Sequence, residues 1–258
     1  MITAASNSRI KRLVQLNQKS KLRRTEDVFL AEGVKMFLEA PREQLQEVYV
    51  SESFLEKCSC REHLEEVGYE VVSDSVFSKI SDTCTPQGVL CVLKQFHYNI
   101  EEMLRDKAPL FLLLENIQDP GNLGTMLRTG EGAGVSGIIM SRDTVDLYNP
   151  KVIRSTMGSI YRVPFYYADD FAAAVHQVQQ AGVSVYAAHL RGKNSYACQD
   201  YTKGTAFLIG NEGNGLREET AELADCYIRI PMEGKVESLN AAVASSILMY
   251  EAHRQRAT

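Results

Sequence analysis

Three stretches of the chain bring together side chains that could act on a ligand. Glu115 to Thr129 reads E-N-I-Q-D-P-G-N-L-G-T-M-L-R-T. An apolar run ends there in a polar loop broken by Gly and Pro, and a helix follows with Asn122 at its start and Arg128 about two turns on. Phe207 to Leu216, F-L-I-G-N-E-G-N-G-L, repeats the layout with Gly210, Gly213 and Gly215 around the acid Glu212. Ile228 to Ala242, I-R-I-P-M-E-G-K-V-E-S-L-N-A-A, ends a strand at Pro231 and reaches Ser238 and Asn240 at the start of the last helix. Open α/β sheets bind ligands at the carboxyl ends of their strands, where such loops collect. A set of amides, a hydroxyl, a carboxylate and a guanidinium at strand ends can hold a polar substrate and polarise it. Each residue also has a plainer use. Asn and Ser are favoured helix caps, Arg is a good helix former, and Gly permits turns.

The elements that must position these loops are strands and helices in alternation, which favours a layered α/β fold. Up to about Gln95 the pattern is that of a small unit. Helices are expected at Asn7–Gln18, Val34–Leu38, Phe54–Val67 and Ser73–Ile80, and strands at Val28–Leu30, Glu47–Val50, Tyr69–Val72 and Gly88–Leu93. The polar stretch 98–108 is the expected linker. From Leu110 a larger unit begins. Its strands are expected at Leu110–Glu115, Gly137–Met140, Val163–Phe165, Val183–Ala188, Thr205–Ile209 and Tyr227–Ile230. Its helices are expected at Leu123–Gly132, Asn149–Met157, Asp169–Ala181, Leu216–Ala224 and Leu239–Arg256. Continuous apolar strands such as Phe111-Leu112-Leu113-Leu114 suit a parallel sheet covered on both faces. The last helix is apolar nearly all round, which predicts burial on two sides and a subunit interface. The expected division is therefore 1–97, a linker at 98–108, and 109–258.

Net charge is −5, which alone argues against an RNA partner. The distribution argues otherwise. Residues 1–25 hold Arg9, Lys11, Arg12, Lys19, Lys21, Arg23 and Arg24 and no acid, leaving 21 of the 28 basic residues against all 33 acidic ones in the rest. A basic arm on an acidic body can grip phosphates in one orientation, although a solvated amphipathic helix would look the same. No apolar run approaches the roughly 18 residues of a membrane span, and no apolar segment follows the basic N-terminus, so the cytoplasm is expected. Six cysteines, at 58, 60, 84, 91, 198 and 226, form no C-x-x-C and are expected to be buried or inert, with no metal site. A nicotinamide enzyme does not fit. Gly132-Ala133-Gly134-Val135-Ser136-Gly137 matches G-x-G-x-x-G but lies after a helix and before a strand, and Glu218 stands where the loop at Gly213 needs its third Gly. No phosphate-binding P-loop motif is present.

In these loops the chain resembles the SpoU/TrmH family of RNA ribose 2′-O-methyltransferases, in the SPOUT superfamily. D-P-G-N-L-G-T-M-L-R-T, L-I-G-N-E-G-N-G-L and I-R-I-P-M-E-G-K-V-E-S-L-N-A-A-V-A match in order. N-P-K-V-I-R-S-T-M-G-S-I-Y-R-V-P, from Asn149, resembles the segment between the first two motifs. The N-terminal part is similar to the family's substrate-binding domain, which is like kink-turn-binding ribosomal proteins, through Phe29-Leu30-Ala31-Glu32-Gly33 and Pro86-Gln87-Gly88-Val89-Leu90.

The resemblance implies a deep trefoil knot in a C-terminal SPOUT domain, a homodimer, S-adenosylmethionine (SAM) as cofactor and RNA as substrate. It implies SAM contacts at Gly210, Ile230 and Leu239, with Leu208, Asn211 and Met232 beside them, and an active-site set of Asn122, Arg128, Glu212, Ser238 and Asn240. RNA contacts are expected at Arg9, Lys11, Arg12, Arg23, Arg24, Lys151 and Arg154. A guanidinium with a pKa above about 12 rarely gives up a proton, so Arg128 is expected to position the ribose and its phosphate and lower the hydroxyl's pKa. By family analogy the N-terminal domain favours large-subunit ribosomal RNA. The alternatives are a tRNA ribose methyltransferase, an enzyme methylating a base nitrogen, and a non-catalytic RNA-binding or ribosome-assembly protein on the same fold.

Overall fold

Val28–Glu32 (β1), Leu45–Ser51 (β2), Glu70–Val72 (β3) and Val89–Lys94 (β4) form a mixed sheet in the order β1-β4-β2-β3. These strands, with Ser8–Gln18 (α1), Ser20–Glu26 (α2), Val34–Leu38 (α3), Glu52–Lys57 (α4), Arg61–Val67 (α5) and Asp74–Ile80 (α6), build the first of two units in the computed structural model, which describes residues 1–257. Asn7 caps α1 by accepting from the Arg9 backbone N–H, and Ile10, Leu13 and Leu16 turn inward. They join Leu30, Tyr49 and Phe77 in one core. The helix expected over Phe54–Val67 is broken in two, because Cys58 adopts an extended conformation. The α2 helix was not expected. Its Arg23 side chain turns back to the carbonyls of Leu16 (2.6 Å) and Asn17 (3.1 Å), which satisfies the orphan carbonyls at the end of α1.

Residues 146–161 belong to this first unit, not to the second as their place in the sequence suggests. Val152 and Ile153 are buried, the Tyr148 ring lies 4.8 Å from Phe29, and the Tyr161 hydroxyl donates to the Met36 carbonyl at 2.9 Å. Apolar contact overrides chain order here.

The second unit spans residues 97–145 and resumes at Arg162. It carries Ile100–Met103 (α7), Leu110–Leu114 (β5), Pro120–Ala133 (α8) and Gly137–Ser141 (β6); Pro150–Thr156 (α9) is the helix lent to the first unit. Phe165–Ala168 (β7), Phe171–Gln180 (α10), Ser184–Ala188 (β8), Asn194–Ser195 (β9), Thr205–Ile209 (β10), Glu218–Ala221 (α11), Cys226–Arg229 (β11) and Ala241–Arg256 (α12) complete it. All seven strands are parallel, in the order β7-β6-β5-β10-β8-β11-β9. Strands β5 and β10 are buried along their whole length, as a sheet covered on both faces requires. Because β10 enters between β5 and β8, the carboxyl ends of β8, β10 and β11 open side by side.

The stretch expected as a linker is anchored. Ile100 and Met103 are buried in the second core, and Met103 packs on Gly137, where an added Cβ would come within 2.2 Å of its methyl. Helix α11 is a single turn, not the longer helix expected over Leu216–Ala224. Helix α12 buries Ala242, Ser245, Leu248, Met249 and Ala252, while Val243 and Tyr250 on another face are 48% and 49% exposed. One face, not two, is covered within the chain. At its end Arg256 donates to the carbonyls of Ala108, Pro109, Tyr201 and Lys203, tying the last turn to the approaches of β5 and β10.

Candidate active site

The loop after β10 is held by its own bonds. Asn211 and Gly215 exchange backbone hydrogen bonds at 3.0 and 2.9 Å. The Asn211 side-chain oxygen accepts from the Gly213 and Asn214 N–H groups, and its amide donates to the Asn116 carbonyl at 2.8 Å. Gly215 takes a left-handed conformation (φ +70°). Gly210 is required for another reason. A Cβ there would lie 2.2 Å from Gly215 C and Leu216 N, so the loop can fold back only over a residue without one. The glycine that looks suited to a ligand is thus needed first by the loop itself.

Glu212 connects this loop to the one after β5. Its carboxylate accepts from the Gln118 and Asp119 N–H groups and from the Asn122 amide, each at 3.0 Å. Burial acts to raise its pKa, but the bonds from Asn122, Gln118 and Asp119 outweigh it, and the carboxyl lies below its ordinary value. Asn122 is free for this because it does not cap α8. Asp119 caps it, accepting from the Asn122 N–H at 2.7 Å, and Pro120 occupies the first helical position. The Asn122 oxygen in turn accepts from the Asn240 amide at 3.0 Å. Asn240, not Ser238, caps α12, taking the N–H groups of Ala242 and Val243. One side-chain relay, Glu212–Asn122–Asn240, therefore joins all three loops.

Beneath it, Glu115 is buried at the end of β5 and accepts from the Arg217 N–H and the Thr220 hydroxyl. Arg217 also pairs with Asp143. Burial of Asp143 acts to raise its pKa, yet bonds from Ser141 and Arg217 leave it lowered.

Two concavities flank the relay. The first, of about 290 Å³, lies at the ends of β8, β10 and β11 and is lined by Gly210, Asn211, Ile230, Met232, Ser238 and Leu239 among others. The second is an open hollow bounded by Gln118, Asp119, Asn122, Glu212 and Asn240. Leu208, expected beside the ligand, is wholly buried within β10, because strand alternation turns it into the core. Arg128 lines neither hollow. It is exposed on α8 and, among the described residues, has no hydrogen-bond or ion-pair partner. His189, Arg229 and Glu237 line the first hollow and were not expected there. His189 directly follows β8, so the rule that located the other loops applies to it equally. Its ring lies 5.0 Å from Tyr227, and burial followed by the charge of Arg191 lowers its pKa.

The residues expected to meet RNA divide by pairing. Arg23 is 3% exposed and bonded to Asp146 at 2.6 Å, and Arg12 is clamped between Glu26 and Glu47, so both serve the fold. Arg9 and Arg154 form surface pairs with Glu70 and Asp82. Lys11, Arg24 and Lys151 are exposed and, among the described residues, unpartnered. The basic stretch lacks acids in sequence, but the fold supplies them from elsewhere. Of the cysteines only Cys91 is buried; Cys84 and Cys198 are exposed. Among the described residues, no helix is long and apolar enough to cross a membrane, and no cluster of His, Cys, Asp and Glu is placed to hold a metal ion.

The profile of the SpoU rRNA Methylase family matches residues 109–250, and that of the MRM3-like substrate binding domain matches residues 7–91. Over 252 residues the chain is 32% identical to a 23S rRNA (guanosine(2553)-2′-O)-methyltransferase of Bacillus subtilis, covering 96% of this chain and 97% of that protein. The structure of an AdoMet-bound rRNA methyltransferase from Sinorhizobium meliloti superposes with a TM-score of 0.85 at 31% identity, covering 98% of this chain and 97% of the other. The SpoU methyltransferase AviRb from Streptomyces viridochromogenes, in complex with AdoMet, superposes with a TM-score of 0.88 at 26% identity over 98% and 99% of the two chains.

Proposed function

The chain belongs to the SpoU rRNA methylase family, and from that membership we propose that it moves a methyl group from SAM to the 2′-hydroxyl of a ribose in ribosomal RNA. The observation that carries this is the placement of Gly210, Ile230, Met232 and Leu239 around one cavity, beside the hollow bounded by Asn122, Glu212 and Asn240. The cavity fits SAM chemically. Its walls are largely apolar, and Glu212 and Glu237 outnumber the one guanidinium, Arg229, which suits a sulfonium cation. When bound, SAM supplies an electrophilic methyl group.

The chain's own residues then have separable tasks. Glu212 is committed to three donors and has a lowered pKa, so it holds loops and is a poor proton acceptor. Asn122 and Asn240 keep the hollow in register with the cavity. Arg128 orients the ribose and its phosphate and by its charge favours loss of the hydroxyl proton to water, with S-adenosylhomocysteine as the spent cofactor. The same reading includes a homodimer in which a second copy covers the Val243–Tyr250 face of α12 and brings Arg128 to the site. The exposure of that face and the free guanidinium support it. The trefoil knot belongs to this reading too; α12 returns to pack on α8, β5 and β10 after the last two loops have met at one cavity. Lys11, Arg24 and Lys151 contact RNA phosphates, with Arg9 and Arg154 able to exchange exposed partners for them. The cytoplasm as compartment belongs to the same reading.

The test incubates the protein with methyl-labelled SAM and ribosomal RNA lacking the modification, then identifies the nucleoside by mass spectrometry. A 2′-O-methylated nucleoside, lost with Arg128→Ala while SAM binding persists, is the expected result. A methylated base nitrogen, or no transfer to ribosomal RNA, overturns the reading.

A further inference from the structure

The first cavity contains charges that the relay does not use. The oxygens of Glu212 are occupied by Gln118, Asp119 and Asn122. Arg229 and Glu237 also line the cavity, and both are exposed. Among the described residues, neither side chain has a hydrogen bond or an ion pair. Arg9, Arg12, Arg23, Arg154, Arg191, Arg217 and Arg254 all meet a carboxylate, whereas among the described residues Arg229 shares the unpaired state of Arg24 and Arg128. Position also matters. Arg229 is the last residue of β11, at the strand end that opens onto the cavity. Glu237 stands on the loop that closes the cavity from the α12 side.

One cation and one anion without side-chain partners among the described residues, lining the same hollow, match a zwitterion, a carboxylate and an ammonium on one carbon. We propose that Arg229 and Glu237 recognise the amino-acid end of SAM, Arg229 pairing with its carboxylate and Glu237 with its ammonium group. The inference rests on the reading that this cavity holds SAM. It makes the two residues determinants of cofactor affinity. They discriminate between molecules with and without the amino-acid end. A guanidinium meets a carboxylate through paired, charge-assisted bonds, which an ammonium or amide in its place reproduces only in part.

The test is calorimetric titration of the full chain with SAM, S-adenosylhomocysteine and 5′-methylthioadenosine, which lacks the amino-acid end. Arg229→Ala is expected to weaken SAM and S-adenosylhomocysteine about tenfold and to leave methylthioadenosine unchanged. Arg229→Lys recovers part of the loss. Glu237→Gln weakens the same two ligands by a few-fold. Unchanged methylthioadenosine binding also shows that each variant is folded. In turnover the loss falls on KM for SAM, with kcat retained at saturation. An equal loss for methylthioadenosine, or no loss for SAM in Arg229→Ala, overturns the inference while leaving the cavity assignment standing. If the unaltered chain binds neither SAM nor methylthioadenosine, the cavity assignment itself is wrong and the inference falls with it.

Discussion

The cavity has two walls of opposite kind. The Asn211–Gly215 loop is closed by reciprocal backbone bonds, by the Asn211 side chain and by the three donors on Glu212. The 231–238 loop facing it is exposed apart from half-buried Met232 and, among the described residues, makes no hydrogen bond until Asn240 caps α12. The first wall is completed by folding. The second has no such bonds, so a ligand that orders it does so at a cost set against the binding energy. A methyl transfer needs one reactant held firmly in line and a way for the spent cofactor to leave, and two unlike walls meet both needs.

The largest expected effect comes from breaking the fixed wall. Gly210→Ala drives a Cβ into the Gly215–Leu216 backbone. SAM affinity should fall by about a hundredfold, roughly 2.7 kcal/mol, with a drop of several degrees in melting temperature. Calorimetry and a thermal melt check it. Asn240→Ala comes next, because it removes a helix cap costing about 1 kcal/mol and the partner of Asn122. Transfer, as kcat/KM for RNA, should fall about tenfold, more than SAM affinity does.

A pH series separates the walls further. The Glu212 carboxyl is lowered in the folded chain from its ordinary 4.5. Its contribution is therefore complete above the ordinary value and disappears as pH falls through the lower, folded one. SAM affinity corrected for ligand ionisation should show this loss only below the ordinary carboxyl range, and Glu212→Gln should remove that dependence. The smallest effect is expected from Gly234→Ala on the loose wall. Its Cβ would meet nothing closer than Val236 N at 4.0 Å, and its φ is not left-handed, so SAM affinity should stay within about twofold. Equal losses for Gly210→Ala and Gly234→Ala would remove the distinction between the walls.

Much of this arrangement was legible in the residues. Alternating apolar runs and Gly/Pro/Asn-rich breaks located five of the seven strands of the larger sheet and all three loops, because both signals are local, while the strand expected at Val163–Phe165 lies at Phe165–Ala168. The two-residue strand Asn194–Ser195 carries no such signal. The relay was harder to foresee. Asn122, Glu212 and Asn240 could be singled out, but their bonding depends on Asp119 taking the capping role that Asn122 could fill, a choice made by loop geometry. The basic arm misled for a related reason. Counting charges within residues 1–25 omits Glu26, Glu47, Glu70 and Asp146, which folding brings to Arg12, Arg9 and Arg23. The helix at Pro150–Thr156 was legible in its place in the chain, but not its packing with residues 1–96, since periodicity indicates that a face is buried and not against what.

Arg256 gives the second unit a mechanical property. Its guanidinium spreads over four carbonyls on the approaches to β5 and β10, the two strands at the middle of the sheet. Tension applied at that end of α12 would load this guanidinium before the helix could peel turn by turn. Releasing the last turn then means breaking four hydrogen bonds, at the opposite end of α12 from the Asn240 cap.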